Sequence, residues 1–385
     1  MKKGIFAALI ALMIVVGSYL LSNFPYPLFD SWALYSYTEL LGKQSNRSHY
    51  PEDSVFCVNL AMDKQLATAV EEGLPMGSVA VSDRSKLLRF LRAVEGADYK
   101  YIFLDVRFPA GLRTDNDEEL FARIENTPRL VMSNHEYGRN YRIADSALLA
   151  KSALADYRAT AYTGFTRYQY LQHGEESVAL RMYRDIDGGY IHRHGPFYSS
   201  RHRLCRNAQF LQIPPFVMQN MREDNTLRYP YLGVHILGWY TDEELQQMVK
   251  GKVILIGDFD EERHSTYVGD VPGAMLSFLG WWDLHTGKHL VPVWLMILLY
   301  ALYSLICLKL LCVHRNWYDY VPLLNRIKGG VWRFLMSLIG WGFVLGLLKI
   351  MLYRFADVAI STAVPAFVFS VMAEINRFKE TDKTI

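Results

Sequence analysis

The chain is 385 residues long, with 51% hydrophobic, 14% aromatic and 21% charged residues and a formal net charge of +2. That apolar content excludes an intrinsically disordered chain, and charge so near balance argues against a nucleic-acid binder, which carries a basic excess. Four cysteines are too few for a disulfide scaffold, and they show no C-x-x-C or Cys/His zinc spacing.

The apolar residues collect at the two ends. Gly4–Leu21 (GIFAALIALMIVVGSYLL) carries no charge and follows Lys2 and Lys3. Its length approaches the roughly 20 residues that cross a bilayer. No A-x-A cleavage pattern or lipobox cysteine follows, so residues 1–22 read as an uncleaved membrane anchor.

Residues 23–288 read as a globular domain. Val55–Leu60 is a short β-rich run, and Ser82–Glu95 places Leu87, Leu88, Leu91 and Val94 on one helical face, capped by Ser82 or Asp83. Tyr101–Val106 (YIFLDV) is a buried-type strand, Asp117–Asn126 a helix and Arg129–Ser133 a third strand. Thr160–Thr166 and Ala179–Tyr183 are further expected strands. Asn207–Met221 reads as a helix interrupted at Pro214-Pro215, and Thr241–Val249 as a helix ending near Gly251. Lys252–Ile256 is the last buried strand, closed by Gly257-Asp258. Apolar strands separated by amphipathic helices predict an α/β domain with a mostly parallel sheet.

Three further apolar runs follow: Leu290–Val313, with Lys309 placed to snorkel; Phe334–Leu352, with Lys349 near its end; and Val358–Ala373, kinked at Pro365. The expectation is four transmembrane α-helices, one N-terminal and three C-terminal, with a membrane region over 289–376 and a short cytoplasmic tail over 377–385. The positively charged flanks are Lys2 and Lys3, then Arg315, Arg326, Lys328 and Arg333, then Arg377, Lys379 and Lys383. Four spans put all three flanks in the cytoplasm and the large domain outside. Tyr26, Trp32, Trp281 and Trp282 then fall where interfacial aromatics belong, and Met275–Phe278 would pack the domain onto the membrane helices. In an extracytoplasmic domain Cys57 and Cys205 could form a bridge.

Ligands of open α/β sheets sit beyond the carboxyl ends of the strands. Those ends carry Asp63, Asp105 and Asp258, and the acidic run after the last strand adds Asp260 and His264. These five residues form the candidate ligand-binding cleft. Asp185-Ile186-Asp187-Gly188 lacks the continuation of a calcium loop and reads as a structural turn, with Gly188 at positive φ. His192, His194 and His202 form a histidine-rich stretch in which His192 and His194 would share one face of a strand, and a metal site there would need a third ligand and a second shell. No nucleophile elbow, P-loop or zincin motif occurs, so no catalytic residue, metal or cofactor is assigned.

These residues resemble a known family. The strand–helix–strand Val55–Phe108, with FLRAVEGADYKYIFLDVRF, looks like the opening of the type-two CHASE sensor domain of bacterial receptors. Asp115–Asn126 resembles that family's acidic turn and helix. Arg184–Gly189 is similar to its D-x-D-G step, followed by a basic residue at Arg193. Gly251–Gly257 resembles its G-K-x-V-x-I-G strand, and Val271-Pro272-Gly273-Ala274 its P-G motif, which makes Pro272 and Gly273 a second structural turn. The resemblance covers residues 30–285 and the expected span order. Ser277 stands where the family has a histidine, and only 12 residues follow Ala373, too few for a fused output domain.

The resemblance implies a sensory protein of the bacterial inner membrane that is not an enzyme. It would bind a small extracytoplasmic ligand or a partner and signal through a homodimer or a separate effector protein. The alternative is a structural or assembly subunit of a membrane complex.

Overall fold

The computed structural model describes residues 2–24, 36–37, 54–71, 74–135, 146–160, 164–211, 213, 231–267, 269–312, 330–356 and 358–381. The chain divides into two compact units. One comprises residues 42–191 and 211–287; the other comprises 1–41, 192–210 and 288–385. The region read from sequence as one domain over 23–288 is thus shared between them.

The first unit is built on a six-stranded sheet, labelled here β1 (Val55–Asn59), β2 (Tyr101–Leu104), β3 (Leu130–Asn134), β4 (Ser152–Leu154), β5 (Tyr231–Gly233) and β6 (Val253–Gly257). Its order is β5-β1-β6-β2-β3-β4, and every neighbouring pair is parallel. The last strand in sequence is inserted between the first two, with Val55 opposite Val253 and Leu255 opposite Phe103. All five residues of β1 and of β6 are buried, as a parallel sheet covered on both faces requires. The expected mostly parallel α/β fold is the one found.

One sheet face packs on α2 (Arg84–Ala93), α3 (Asp117–Asn126) and a later helix, Asp242–Val249, through Leu87, Leu91, Leu120, Ile124, Leu245 and Val249. Each helix begins where its sequence says it should. Asp83 caps α2 by accepting from the Ser85 and Lys86 amides, and Thr241 and Glu244 form a capping box. The opposite face carries α4 (Val178–Asp187) and α6 (Gly273–His285), which also pack on each other; Asp242–Val249 is α5. Eleven of the thirteen residues of α6 are buried. Trp281 lies among them, its indole donating to Asp187 at 3.1 Å, so it is a core residue of this unit rather than an interfacial aromatic.

Several expectations are corrected. Ala179–Tyr183 is not a strand but lies in α4, because Ser177 caps the helix start and Gly188, at φ 63°, closes its end. Asp185 and Asp187 therefore occupy the last helical turn. Asp185 accepts from Tyr101 Oη at 2.6 Å, and Asp187 accepts from Trp281 and from His285 Nδ1 at 2.7 Å. Pro272 ends a strand (Gly269–Pro272) and Gly273 opens α6, so this pair marks a strand-to-helix junction. Ala208–Phe210 is a strand where a helix was expected. Residues 212 and 214–221, including the two prolines, lie outside the described residues, as do Tyr26, Trp32 and most of the 314–333 segment. A hairpin absent from the sequence reading, Lys64–Glu71 with Leu74–Ser82, precedes α2.

The second unit holds α1 (Lys2–Ser22), α7 (Val293–Cys312), α8 (Gly330–Ala356) and α9 (Ala363–Thr381). Among the described residues three helices, α1, α7 and α8, are long and apolar enough to cross a membrane. The expected fourth span is corrected. Val358–Thr362 is not helical, and the apolar part of α9 runs only over Ala363–Ile375. Pro365 explains part of this: it sits in the first turn of α9, where a missing N–H costs nothing, and does not kink a longer helix. Residues through Thr381 are helical, so α9 includes most of the segment read as a tail. Lys309 is exposed as expected, whereas Lys349 is buried.

The helices pack through Ala7, Ala11 and Ile14 of α1, Leu299 and Tyr303 of α7, and Phe369 of α9. A three-stranded antiparallel meander, His192–His194, Phe197–Ser200 and Arg203–Cys205, belongs to the same unit. The Tyr19 hydroxyl joins it to α1, accepting from the Tyr198 amide at 3.1 Å and donating to the Cys205 carbonyl at 2.7 Å. Ser22 Oγ accepts from the Ser361 amide at 2.7 Å, tying the end of α1 to the segment before α9. Cys57 and Cys205 are both free thiols.

Candidate functional site

The loops after β1, β6, β2 and β3 gather at the carboxyl edge of the first unit's sheet. They bring the five predicted cleft residues to one rim, but not into one site.

Asp63 follows β1 and is buried. Lys86 donates to its carboxylate, as do the His235 amide at 3.3 Å and, facing it at 2.9 Å, His235 Nδ1. Burial pushes this carboxyl up, but the Lys86 and His235 hydrogen bonds more than offset it and hold the group below its ordinary value. Asp258 follows β6. It pairs with Lys64 at 2.9 Å and accepts from the amides of Asp260 and Glu261 at 3.1 and 2.8 Å. Its pKa is likewise lowered, the Lys64 and amide hydrogen bonds outweighing burial. Asp260 accepts from Asn59 Nδ2 at 2.8 Å, while Asn59 Oδ1 accepts from the Ala61 and Phe259 amides. These three aspartates close loops with cations and amides of their own unit. Lys64, Lys86 and His235 were not singled out in the sequence, because a lysine in a hairpin or on a helix face carries no pairing signal.

Asp105 and His264 are different. Asp105 follows β2, half-buried, its amide donating to the Ile256 carbonyl at 2.7 Å. His264 lies on the strand Arg263–Thr266, paired with Val271 of the strand that leads into α6. Gly273 brings the two together: a β-carbon there would lie 3.0 Å from His264 Nε2 and 3.3 Å from Asp105 Oδ2. The glycine lets the carboxyl and imidazole close on one small space at the start of α6, too tight for a β-carbon unless a neighbour shifts.

The wall of that space is aromatic and hydroxylic. The Tyr157 ring lies 4.4 Å from the His264 ring. Tyr157 Oη donates to the Gly273 carbonyl at 2.7 Å and lies 2.7 Å from Ser277 Oγ. With its one proton on Gly273, Tyr157 must accept from Ser277, and Ser277 in turn accepts from Tyr168 Oη at 3.3 Å. Ser277 is thus consumed in a hydroxyl chain and is not a free nucleophile. At the outer side His135 Nδ1 lies 3.1 Å from Asp156.

Burial raises the Asp105 carboxyl, with nearby His135 and Arg107 opposing that shift. Burial lowers His264 to about 4, and electrostatic interaction with His135 and Arg107 adds to it. Glu262 is raised by burial and by Asp105. At neutral pH His264 is therefore a neutral ring, and its neighbour Asp105 carries a carboxyl raised by burial. Such a pair can accept and donate hydrogen bonds at once, which suits a polar ligand with both functions. Among the described residues no group of three or more His, Cys, Asp or Glu could hold a metal ion.

No protein-family model, curated protein or solved structure matches this chain. The sequence reading found Asp105 and His264 and named Ser277 without a partner, but missed Tyr157 and His135, which no motif or spacing marks.

Proposed function

We propose that the chain is a membrane-anchored extracytoplasmic sensory protein of the bacterial inner membrane. It binds a small polar ligand at the Asp105–His264 rim and passes the signal to a homodimeric partner or a separate effector, without catalysing a reaction. One observation carries this reading: a half-buried carboxyl and a neutral imidazole close on Gly273 at the carboxyl edge of a parallel sheet, where α/β folds hold ligands. The three long apolar helices support the membrane setting. Multi-pass topology with the large unit outside rests on the first two charged flanks, Lys2 and Lys3 and then Arg315, Arg326, Lys328 and Arg333.

A second reading, a structural or assembly subunit that reuses the fold, is favoured by one fact. Asp63, Asp258 and Asp260 are satisfied by Lys86, His235, Lys64 and Asn59, so most of the acidic rim asks for no ligand. A thermal-shift screen of the detergent-solubilised full chain against small polar compounds separates the two. The sensory reading expects compounds that stabilise the natural protein and fail on Asp105→Asn. Shifts equal in both proteins, or none across amino acids, organic acids, amines and sugars, favour the scaffold.

A further inference from the structure

The stretch His192–Arg206 holds four arginines and three histidines, and no acidic residue occurs between His192 and Phe210. It forms the meander of the unit that contains the apolar helices. Its position within that unit is fixed by several bonds. Tyr19, three residues before the end of α1, holds Tyr198 and Cys205. The Leu290–Val291 segment that leads into α7 runs beside the third strand, Cys205 bridging Leu290 and the Val291 amide donating to the Leu204 carbonyl at 2.9 Å. Arg206 donates to the carbonyls of His289, Lys288 and Ala359. The meander therefore sits where α1 ends and α7 begins; on the proposed reading that these helices cross the bilayer, this is the level where hydrocarbon gives way to headgroups.

Its outward side chains are cationic and aromatic. Arg193, Arg201 and Arg203 are exposed, together with His194 and His202. Among the described residues Arg193 and Arg203 form no ion pair. Phe197 is also exposed and stacks on Tyr19 at 5.6 Å, the placement of an interfacial aromatic.

The backbone supplies an independent argument. Ser200 pairs with Arg203, so Arg201-His202 is a two-residue turn, and both residues have positive φ, 48° and 62°. This is the pattern that favours Asn-Gly. Arginine and histidine there carry strain that a neutral turn would avoid. A bulky cation, Arg201, and an imidazole, His202, held in unfavourable conformations at an exposed tip point to a role for their side chains.

We propose that the meander binds the phosphodiester headgroups of anionic phospholipids in the leaflet where α1 ends and α7 begins. The arginine forks match phosphate oxygens, and each basic side chain near such a surface strengthens binding about fivefold.

The test uses the full chain in neutral detergent, titrated with tail-labelled phosphatidylglycerol or phosphatidylcholine. The proposal expects phosphatidylglycerol to bind at least tenfold tighter at low salt, with the preference falling as salt rises. Arg193→Gln with Arg203→Gln should cut the preference about fivefold per arginine. Arg201→Asn with His202→Gly separates charge from folding: it should raise the unfolding midpoint and still lower the preference. Equal binding of the two lipids by the natural protein would overturn the proposal. So would an unchanged preference in a folded Asn-Gly variant, or displacement of the lipid by inorganic phosphate at equal concentration.

Discussion

The hydroxyl of Tyr19 donates to the carbonyl of Cys205, 186 positions further along the chain, at 2.7 Å. The same oxygen accepts from the amide of Tyr198, the residue paired with Cys205 across the meander. One phenol thus bridges two strands from the last turns of a helix. Tyr19→Phe keeps the ring and its stack on Phe197 but leaves a buried carbonyl without its donor. The expected cost is about 1–3 kcal/mol, read as a lower unfolding midpoint of the full chain in mild detergent. An unchanged midpoint would mean that water replaces the hydroxyl.

Arg84 and Asp117 make a buried ion pair between α2 and α3, Arg84 Nη1 lying 2.6 Å from Asp117 Oδ1; the Thr114 hydroxyl also donates to Asp117 at 2.6 Å. Both side chains are almost fully buried. Removing one partner strands the other charge, so Arg84→Met is expected to destabilise the protein by about 3–5 kcal/mol. Arg84→Met with Asp117→Leu should recover much of that loss. Chemical unfolding of the single and double variants checks both, and a double variant no better than the single would show that the charges themselves are not the cause.

Gly273→Ala places a methyl group against His264 Nε2 and Asp105 Oδ2. The first turn of α6 accepts alanine, so the fold should persist. Ligands that stabilise the natural protein through this space should lose most of their effect. Side-by-side thermal shifts of the two proteins decide it; equal shifts would place the ligand elsewhere.

Stability should depend on pH through His264. Its pKa falls from 6.5 unfolded to about 4 folded, so between these values the unfolded chain binds the extra proton. The contribution of neutral His264 is complete above about 6.5 and drains away as pH falls toward 4. His264→Gln should flatten the stability profile in that window. Asp63 and Asp258 act below it: their folded pKa values are lowered, so their contribution is lost as pH falls from about 4 downward. Asp63→Asn should soften acid unfolding there without changing the slope between 6.5 and 4. Unfolding curves at a series of pH values distinguish the two windows.

The parallel sheet was legible because its strands are continuous apolar runs and its helices carry their own start signals, such as Thr241 with Glu244. The same logic failed at α4, where Val178, Leu180 and Met182 alternate as in a strand and only the Ser177 cap and Gly188 termination reveal a helix. The meander was missed because strands of three or four residues leave no room for a period to show. Strand ends located Asp63, Asp105 and Asp258, yet sequence could not tell which of them were already paired. Lys64, Lys86 and His235 answer that for Asp63 and Asp258 from a hairpin, a longer helix and the one-turn helix Val234–Leu237, each separated in sequence from the aspartate it serves. Apolar composition marked Val358–Ala373 for the membrane, but composition does not say that its first five residues are not helical.

The unbridged thiols give each unit its own reporter. Cys57, 2% exposed, lies in the central sheet, and Cys205, fully buried, lies in the meander. Burial raises both thiols, Cys205 to about 12, so neither is a nucleophile in the folded state. A water-soluble alkylating reagent can reach Cys57 only when the sheet opens and Cys205 only when the meander lifts. With Cys307 and the exposed Cys312 resolved from them by peptide mapping, the two labelling rates are separate clocks, one for each unit, running without any introduced probe.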